Sequence, residues 1–244
     1  SWANRAGSTT RGSSANCACG SRTRRCIPAS VKQPEAVPGL PAKAFHFVDA
    51  ANWPAVQQQG LCSTDELLRR GAFGTEVEAV VRAHRPQGVT LPDGRYIRDQ
   101  RPMPPRALAR CLDPGLAPAD WYGLLNGCVF FWLDAERVQR HRAALRDRPQ
   151  VLLTFDARAL AAAHEAVAHI TPFNIGSAVR KAAPRGLRTL VPLAQWQAKG
   201  WASEALPGQA VRAASHRPAE LVLRAAAVPD AMRHVTAAEM IGAP

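Results

Sequence analysis

No run of about eighteen apolar residues occurs in this chain of 244 residues, and its apolar stretches, such as 152–155 and 221–223, are strand-sized and bounded by charge. A membrane-spanning helix is excluded on length alone, so no membrane partner is expected. The common nucleotide-site signatures are missing too: no Gly-x-Gly-x-x-Gly opens a helix, and no lysine follows a glycine-rich turn. That excludes a Rossmann or P-loop site. There is no Gly-x-Ser-x-Gly elbow, no His-Glu-x-x-His pair and no Asp-rich calcium loop. Nor does any repeat mark a solenoid or propeller.

Acidic residues are absent from the first 34 positions, where Arg5, Arg11, Arg22, Arg24, Arg25 and Lys32 fall among Ser, Thr, Gly and Ala. Without apolar periodicity this segment, 1–34, is expected to be disordered. It has no apolar h-region and reads as upstream sequence included by a displaced start, or as a transit-like leader. The formal net charge is +12, and about half of that excess sits in this segment. The remainder is still basic, which suits an anionic dinucleotide, a nucleic acid or a solvated surface.

Cysteine is sparse. Cys17, Cys19 and Cys26 lie in the basic segment and lack the fourth ligand of a zinc site, while Cys62, Cys111 and Cys128 are scattered. The scattered three read as buried thiols of a reducing cytoplasm. His164 and His169 are five apart, a spacing that does not stack ligands on a helix, so no metal is expected.

The 47% hydrophobic composition suffices for one substantial core, placed at 35–244 as a single domain. Residues 44–48 read as a strand. Asp49 and Asn52 offer caps for a helix over 53–59, with Pro54 in its first turn and Gly60 as its stop. Ser63 or Thr64 caps a second helix that carries Asp65 and Glu66 in its first turn. The Pro- and Gly-dense stretch 85–118 predicts a long loop with one short helix at 105–112. Asn126-Gly127 predicts a two-residue turn before Cys128-Val129-Phe130-Phe131-Trp132, a strand apolar on both faces that belongs inside a sheet.

Asp134 caps a helix through 145, residues 151–155 form another buried strand, and Asp156 caps an alanine-rich helix over 157–168. Residues 190–193 read as a marginal edge strand, 180–217 as basic and irregular, and 220–224 as the last strand before a frayed end. Strand-then-helix units in series predict an α+β class with a mixed sheet and flanking helices.

Two polar residues at strand ends stand out. His46 points away from the face that carries Phe45 and Phe47, and Glu220 opens an apolar strand where a carboxylate needs a partner or a role. Between them, Arg95, Arg98, Arg101 and Arg106 surround Asp99-Gln100, and guanidinium forks of this kind grip pyrophosphate.

The order of these segments resembles the DarT-type ADP-ribosyltransferases. His46, Asn52-Trp53-Pro54-Ala55-Val56 and Gly60-Leu61 are similar to that family's opening; Ile97-Arg98-Asp99-Gln100-Arg101 to its arginine segment; Val129-Phe130-Phe131-Trp132 to its aromatic strand; and Pro218-Ala219-Glu220-Leu221-Val222-Leu223 with Val228-Pro229 to its close. The chain is nearer still to a group of uncharacterised bacterial proteins with His-Phe-x-Asp-x-x-Asn-Trp, Arg-Asp-Gln-Arg-Pro-Met and Leu-Asn-Gly-x-Val-Phe-Phe-Trp, which brings no established activity. The family's threonine shortly after the histidine is not evident here, Asp49 lying three on.

The resemblance implies an ADP-ribosyltransferase-like split sheet and a bacterial toxin that consumes NAD as co-substrate. It makes Glu220 catalytic, Arg98 or Arg101 the phosphate clamp, and Phe130, Phe131 and Trp132 the nicotinamide wall. His46, Asp49, Asn52, Gly60 and Leu61 become further cofactor contacts. The basic stretch before Glu220, with Arg188, Trp196 and Trp201, becomes the acceptor surface for single-stranded DNA or RNA. An antitoxin protein is a further partner the resemblance brings in. The rival readings are an NAD glycohydrolase, in which water replaces the acceptor, and an inactive nucleotide or nucleic-acid binding module.

Overall fold

The computed structural model describes residues 39–145, 147–179 and 183–242, and the segment 1–34 with its expected disorder lies outside them. Strand β1 (Lys43–Asp49) runs into a 3-10 turn and helix α1 (Trp53–Gln59), and the Asp49 side chain accepts from the Ala51 amide. Asn52 does not cap with its side chain. Gly60 stops the helix at φ 74°, and a Cβ there would stand 2.2 Å from the Val228 carbonyl oxygen, so only glycine fits. Short β2 (Leu61–Cys62) follows, then α2 (Thr64–Gly71), capped by Ser63 through the Glu66 amide, and α3 (Thr75–Arg82).

The stretch expected to be mostly loop holds a small hairpin, β3 (Val89–Thr90) with β4 (Tyr96–Ile97), turning through Asp93 and Gly94, before α4 (Pro105–Ala109). Asn126-Gly127 is not a hairpin turn. It ends α5 (Pro118–Asn126), because Trp121, Tyr122 and Leu125 bury one face of that helix and hold it past the turn signal. Next come β5 (Val129–Trp132), α6 (Ala135–Ala144), β6 (Gln150–Asp156) and α7 (Ala157–Ala163), the helices capped by Asp134 and Asp156 as the sequence indicates. The alanine-rich helix stops early, since Ala168–Thr171 is strand β7, drafted into the sheet against helix propensity. The remaining elements are β8 (Val191–Pro192), α8 (Leu193–Lys199), β9 (Glu220–Leu223), β10 (Ala227–Val228) and β11 (Val235–Ile241). The C-terminal end is therefore a paired strand instead of frayed chain.

Seven strands form the main sheet in the order β11-β6-β1-β5-β9-β7-β8. The mixed sheet expected from the sequence is corrected here, because every pairing is antiparallel. Strands β5, β6 and β7 do run the same way, as helix-linked strands should, but β1 lies between β5 and β6 and β9 between β5 and β7. The doubly apolar β5 is the central strand, as its composition requires. β8 is an edge strand.

The main core packs one sheet face, through Val48, Phe131, Leu153 and Leu221, against α1, α7 and α8. The other face carries two separate clusters, one built on α5 with Val222 and Phe130, the other on α6 with Phe47, Leu152 and Trp132. β1 and β6 pair over seven residues, yet β1 and β5 share the single pair Phe45↔Trp132. The sheet is thus joined at one end of this seam and open at the other.

Candidate functional site

A cavity of about 500 Å³ lies along that open seam, and its lining draws Val48, Val56 and Leu61 from the main core and Met103, Phe130 and Trp132 from the clusters beyond. His46 holds the seam where the backbone ladder lapses. Its Nδ1 donates to the Phe130 carbonyl at 2.7 Å, which leaves Nε2 as an acceptor, and its ring packs 5.6 Å from Phe131. Burial pushes the imidazole down to about 4, with Arg98 adding to the effect and the Phe130 carbonyl opposing it. Near neutral pH His46 is uncharged.

Glu220 opens β9 in register with Trp132 on one side and Thr171 on the other, so all three share the sheet face opposite the main core, where Glu220 and Trp132 line the cavity. It is buried, 4% exposed. Thr171 Oγ1 at 2.9 Å and the Ile175 amide at 3.1 Å both contact Oε2, while Oε1 has no hydrogen bond among the described residues. Burial raises the carboxyl to about 7, against the pull of the Ile175 amide and Thr171. Thr171 Oγ1 also lies 2.9 Å from the Phe173 carbonyl, and one hydroxyl proton cannot serve both oxygens. A carboxyl that is protonated part of the time resolves the conflict.

Arg98, half-buried, reaches the cavity from the far side. Its Nη2 donates to Gln150 Oε1 at 2.6 Å and its Nη1 to His141 Nε2 at 3.1 Å, and no carboxylate lies within ion-pair distance of it among the described residues. Burial, together with Arg98, pushes His141 down to about 4, so this neighbour is neutral as well. Arg85 is a second unneutralised cation: 5% exposed, it is held by the Val81 and Arg98 carbonyls and by Asn126 Oδ1. Burial lowers it to about 10, still cationic at neutral pH. That contact fixes the Asn126 amide and leaves Nδ2 buried without a partner among the described residues, a spare donor at the cavity wall.

Other residues singled out by sequence line the same cavity in supporting roles. Asp49 accepts a fork from Arg148 (2.7 and 3.1 Å) and a bond from Gln150. Burial opposes its ionisation, but these partners outweigh it and hold the carboxyl below its usual range. Asn52 clasps the Tyr96 backbone through both amide atoms at 2.8 Å, which anchors the segment that carries Arg98. Gly60 and Leu61 meet the closing Val228-Pro229, because β2 pairs with β10. Arg101 lies at the rim, largely exposed.

Four residues lie elsewhere. Phe131 points into the main core, fully buried, so only Phe130 and Trp132 wall the cavity. Trp196 and Trp201 are 0% and 1% exposed and pack 5.9 Å apart, which removes them as a platform for unpaired bases. Arg188 forks onto Asp113 at 2.9 Å and reaches Glu204 at 3.5 Å, a closed ion pair instead of a phosphate site. Sequence reasoning missed Arg85, Asn126 and Thr171. For Asn126 the Asn-Gly signal concealed the role, and for Thr171 the unrecognised β7 did.

No curated protein and no solved structure matches the chain. A model described as a family of unknown function, DUF7002, matches residues 42–235, which take in His46, Arg98 and Glu220. The chain belongs to the DUF7002 family.

Proposed function

We propose that the cavity binds NAD and that the protein transfers ADP-ribose from it to a nucleic-acid acceptor, with release of nicotinamide. The observation that carries this reading is the meeting of His46, Arg98 and Glu220, far apart in sequence, around one cavity at the open β1/β5 seam. The residues suit the ligand. Among the described residues Arg98 and Arg85 are cations without carboxylate partners, the Asn126 amide is a spare donor for a carbonyl or phosphate oxygen, and Phe130 and Trp132 supply flat apolar walls.

In this reaction the bond from ribose C1′ to the nicotinamide nitrogen breaks through an oxocarbenium-like state, and a new bond forms from C1′ to the acceptor. Glu220 Oε1 holds the ribose 2′-hydroxyl as positive charge develops, and the carboxylate takes the acceptor's proton as the new bond closes. Thr171 and the Ile175 amide fix Oε2, so the reactive oxygen is presented in one orientation. Neutral His46 offers Nε2 to a ligand hydroxyl, and Arg98 grips the pyrophosphate. For the acceptor, exposed Arg101 at the rim replaces the tryptophans and Arg188 as the first phosphate contact to test.

Labelled NAD incubated with the protein and separate pools of single-stranded DNA, RNA and cell protein tests the reading. Label should enter a nucleic-acid pool, and Glu220→Gln should lower the rate by about 100-fold or more. Free ADP-ribose without a labelled macromolecule would select the glycohydrolase. Consumption of NAD by Glu220→Gln at the wild-type rate, or no consumption by wild type, would sink the assignment.

A further inference from the structure

Away from the cavity, three metal-ligating side chains converge where α7 ends and β11 begins. His164 directly follows α7; Asp230 and His234 bracket the 3-10 turn, Ala231–His234, that leads into β11. His164 Nε2 lies 3.0 Å from Asp230 Oδ1 and His234 Nε2 lies 3.4 Å from Asp230 Oδ2. One donor atom from each residue falls within 4.8 Å of the others, and the two rings meet edge to face at 6.2 Å.

These two histidines differ from the rest. His46, His84, His169 and His216 each tie a ring nitrogen to a backbone carbonyl, the ordinary way to settle a partly buried imidazole. His141 is held by Arg98. Among the described residues only His164 and His234 aim the same nitrogen, Nε2, at one shared carboxylate, and neither has a carbonyl partner. Zinc bonds of about 2.0–2.2 Å to nitrogen and oxygen place tetrahedral ligands roughly 3.3–3.5 Å apart, so donor atoms already within 4.8 Å of one another need only close in around the ion. Side-chain exposures of 17%, 30% and 14% for His164, Asp230 and His234 leave an approach for the ion and a fourth position for water. Imidazole donors disfavour the hard cations magnesium and calcium.

We propose that His164, Asp230 and His234 form a zinc site that fastens the entry of β11 to the end of α7. The spacing of His164 to His169 concealed it, because the ligands that complete it come from a turn 66 residues further on. The fastened turn would hold β11 against β6, so occupancy should show in stability without any reference to the cavity.

The test uses the full chain with Cys17, Cys19 and Cys26 replaced by serine to remove competing thiols, stripped of metal and titrated with Zn²⁺ by calorimetry and thermal melting. The expected result is saturable binding of one equivalent with a raised melting temperature. Co²⁺ should give visible bands of a four-coordinate ion without thiolate charge transfer. Asp230→Asn, which keeps a polar partner for both rings, and His164→Gln should each weaken Zn²⁺ by at least about tenfold, with folding verified by circular dichroism. Absence of saturable binding in the unmutated ligand set overturns the proposal. So does affinity that survives both substitutions.

Discussion

Arginines and aromatic rings gather in two regions of this molecule, and each region settles them differently. Around the cavity, Arg85 and Arg98 rest on carbonyls, amides and a histidine, with no carboxylate in ion-pair range among the described residues. In the stretch 185–217, Arg188 and Arg212 share buried Glu204, Arg188 also forks onto Asp113, and Trp201 donates its ring N–H to the His216 carbonyl at 2.8 Å. The second region neutralises these two arginines, although Arg185 there, 1% exposed, also rests on carbonyls and Trp196 Nε1 is buried without a partner among the described residues. The first differs in aiming such groups into a cavity: Arg85, Arg98, the spare Asn126 amide and a carboxyl of raised proton affinity all line it. Basic composition and tryptophan content do not separate the two regions; placement around a cavity does.

The contrast breaks most visibly at its largest side chains. Trp196→Ala should cost about 3–5 kcal/mol in urea denaturation, as expected for emptying a buried indole site. Phe130→Ala, on a partly buried cavity wall, should cost less stability and act mainly on NAD affinity. If Trp196→Ala left stability intact and instead weakened oligonucleotide binding, the second region would be an acceptor surface after all. The arginines sharpen the same contrast at smaller magnitude. Arg188→Ala strands Asp113, leaves Glu204 to Arg212 alone, and should destabilise by about 3 kcal/mol with NAD affinity unchanged. Arg98→Ala should do the opposite, lowering NAD affinity by about tenfold in a titration while the melting temperature changes little. Equal effects of the two substitutions on binding would remove the distinction.

The last expectation concerns pH. The Glu220 carboxyl, raised to about 7 from an ordinary 4.5, binds its proton more tightly folded than unfolded, so its contribution to stability is full below about 4.5 and is lost as pH rises through 7. The loss is at most about 3 kcal/mol. Glu220→Gln should therefore be more stable than wild type at pH 8, with the gain fading by pH 5, as chemical denaturation at each pH would show. His46 and His141, both lowered to about 4, work the other way: their contribution is present above 6.5 and is lost as pH falls to 4. A Glu220→Gln gain that did not depend on pH would mean that the carboxyl is not held protonated by burial.

Local signals were legible where short-range chemistry decides them. The Asp134 and Asp156 caps, the Gly60 stop and the interior placement of the Phe-Phe-Trp strand could all be read from a few neighbouring residues. Long-range pairing decided the rest. The helix expected through 168 yielded to β7 because β9 and β8 offer it partners, and the C-terminal strand exists because β6 has a free edge. Likewise the meeting of His46, Arg98 and Glu220 at one cavity follows the sequence order, whereas Arg85, Asn126 and Thr171 owe their places to contacts that no local pattern encodes.

The interleaving of β1 and β9 among three co-directional strands also constrains how the chain assembles. β1 is made first, yet both of its neighbours, β5 and β6, lie some 80 to 110 residues downstream, and β9, which carries Glu220, follows later still. Loop-closure entropy must be paid for each of these contacts before the ladder rewards it, so folding should be slow for a domain of this size. During synthesis β1 would emerge with two bare edges, open to partners other than its own chain until the second half arrives.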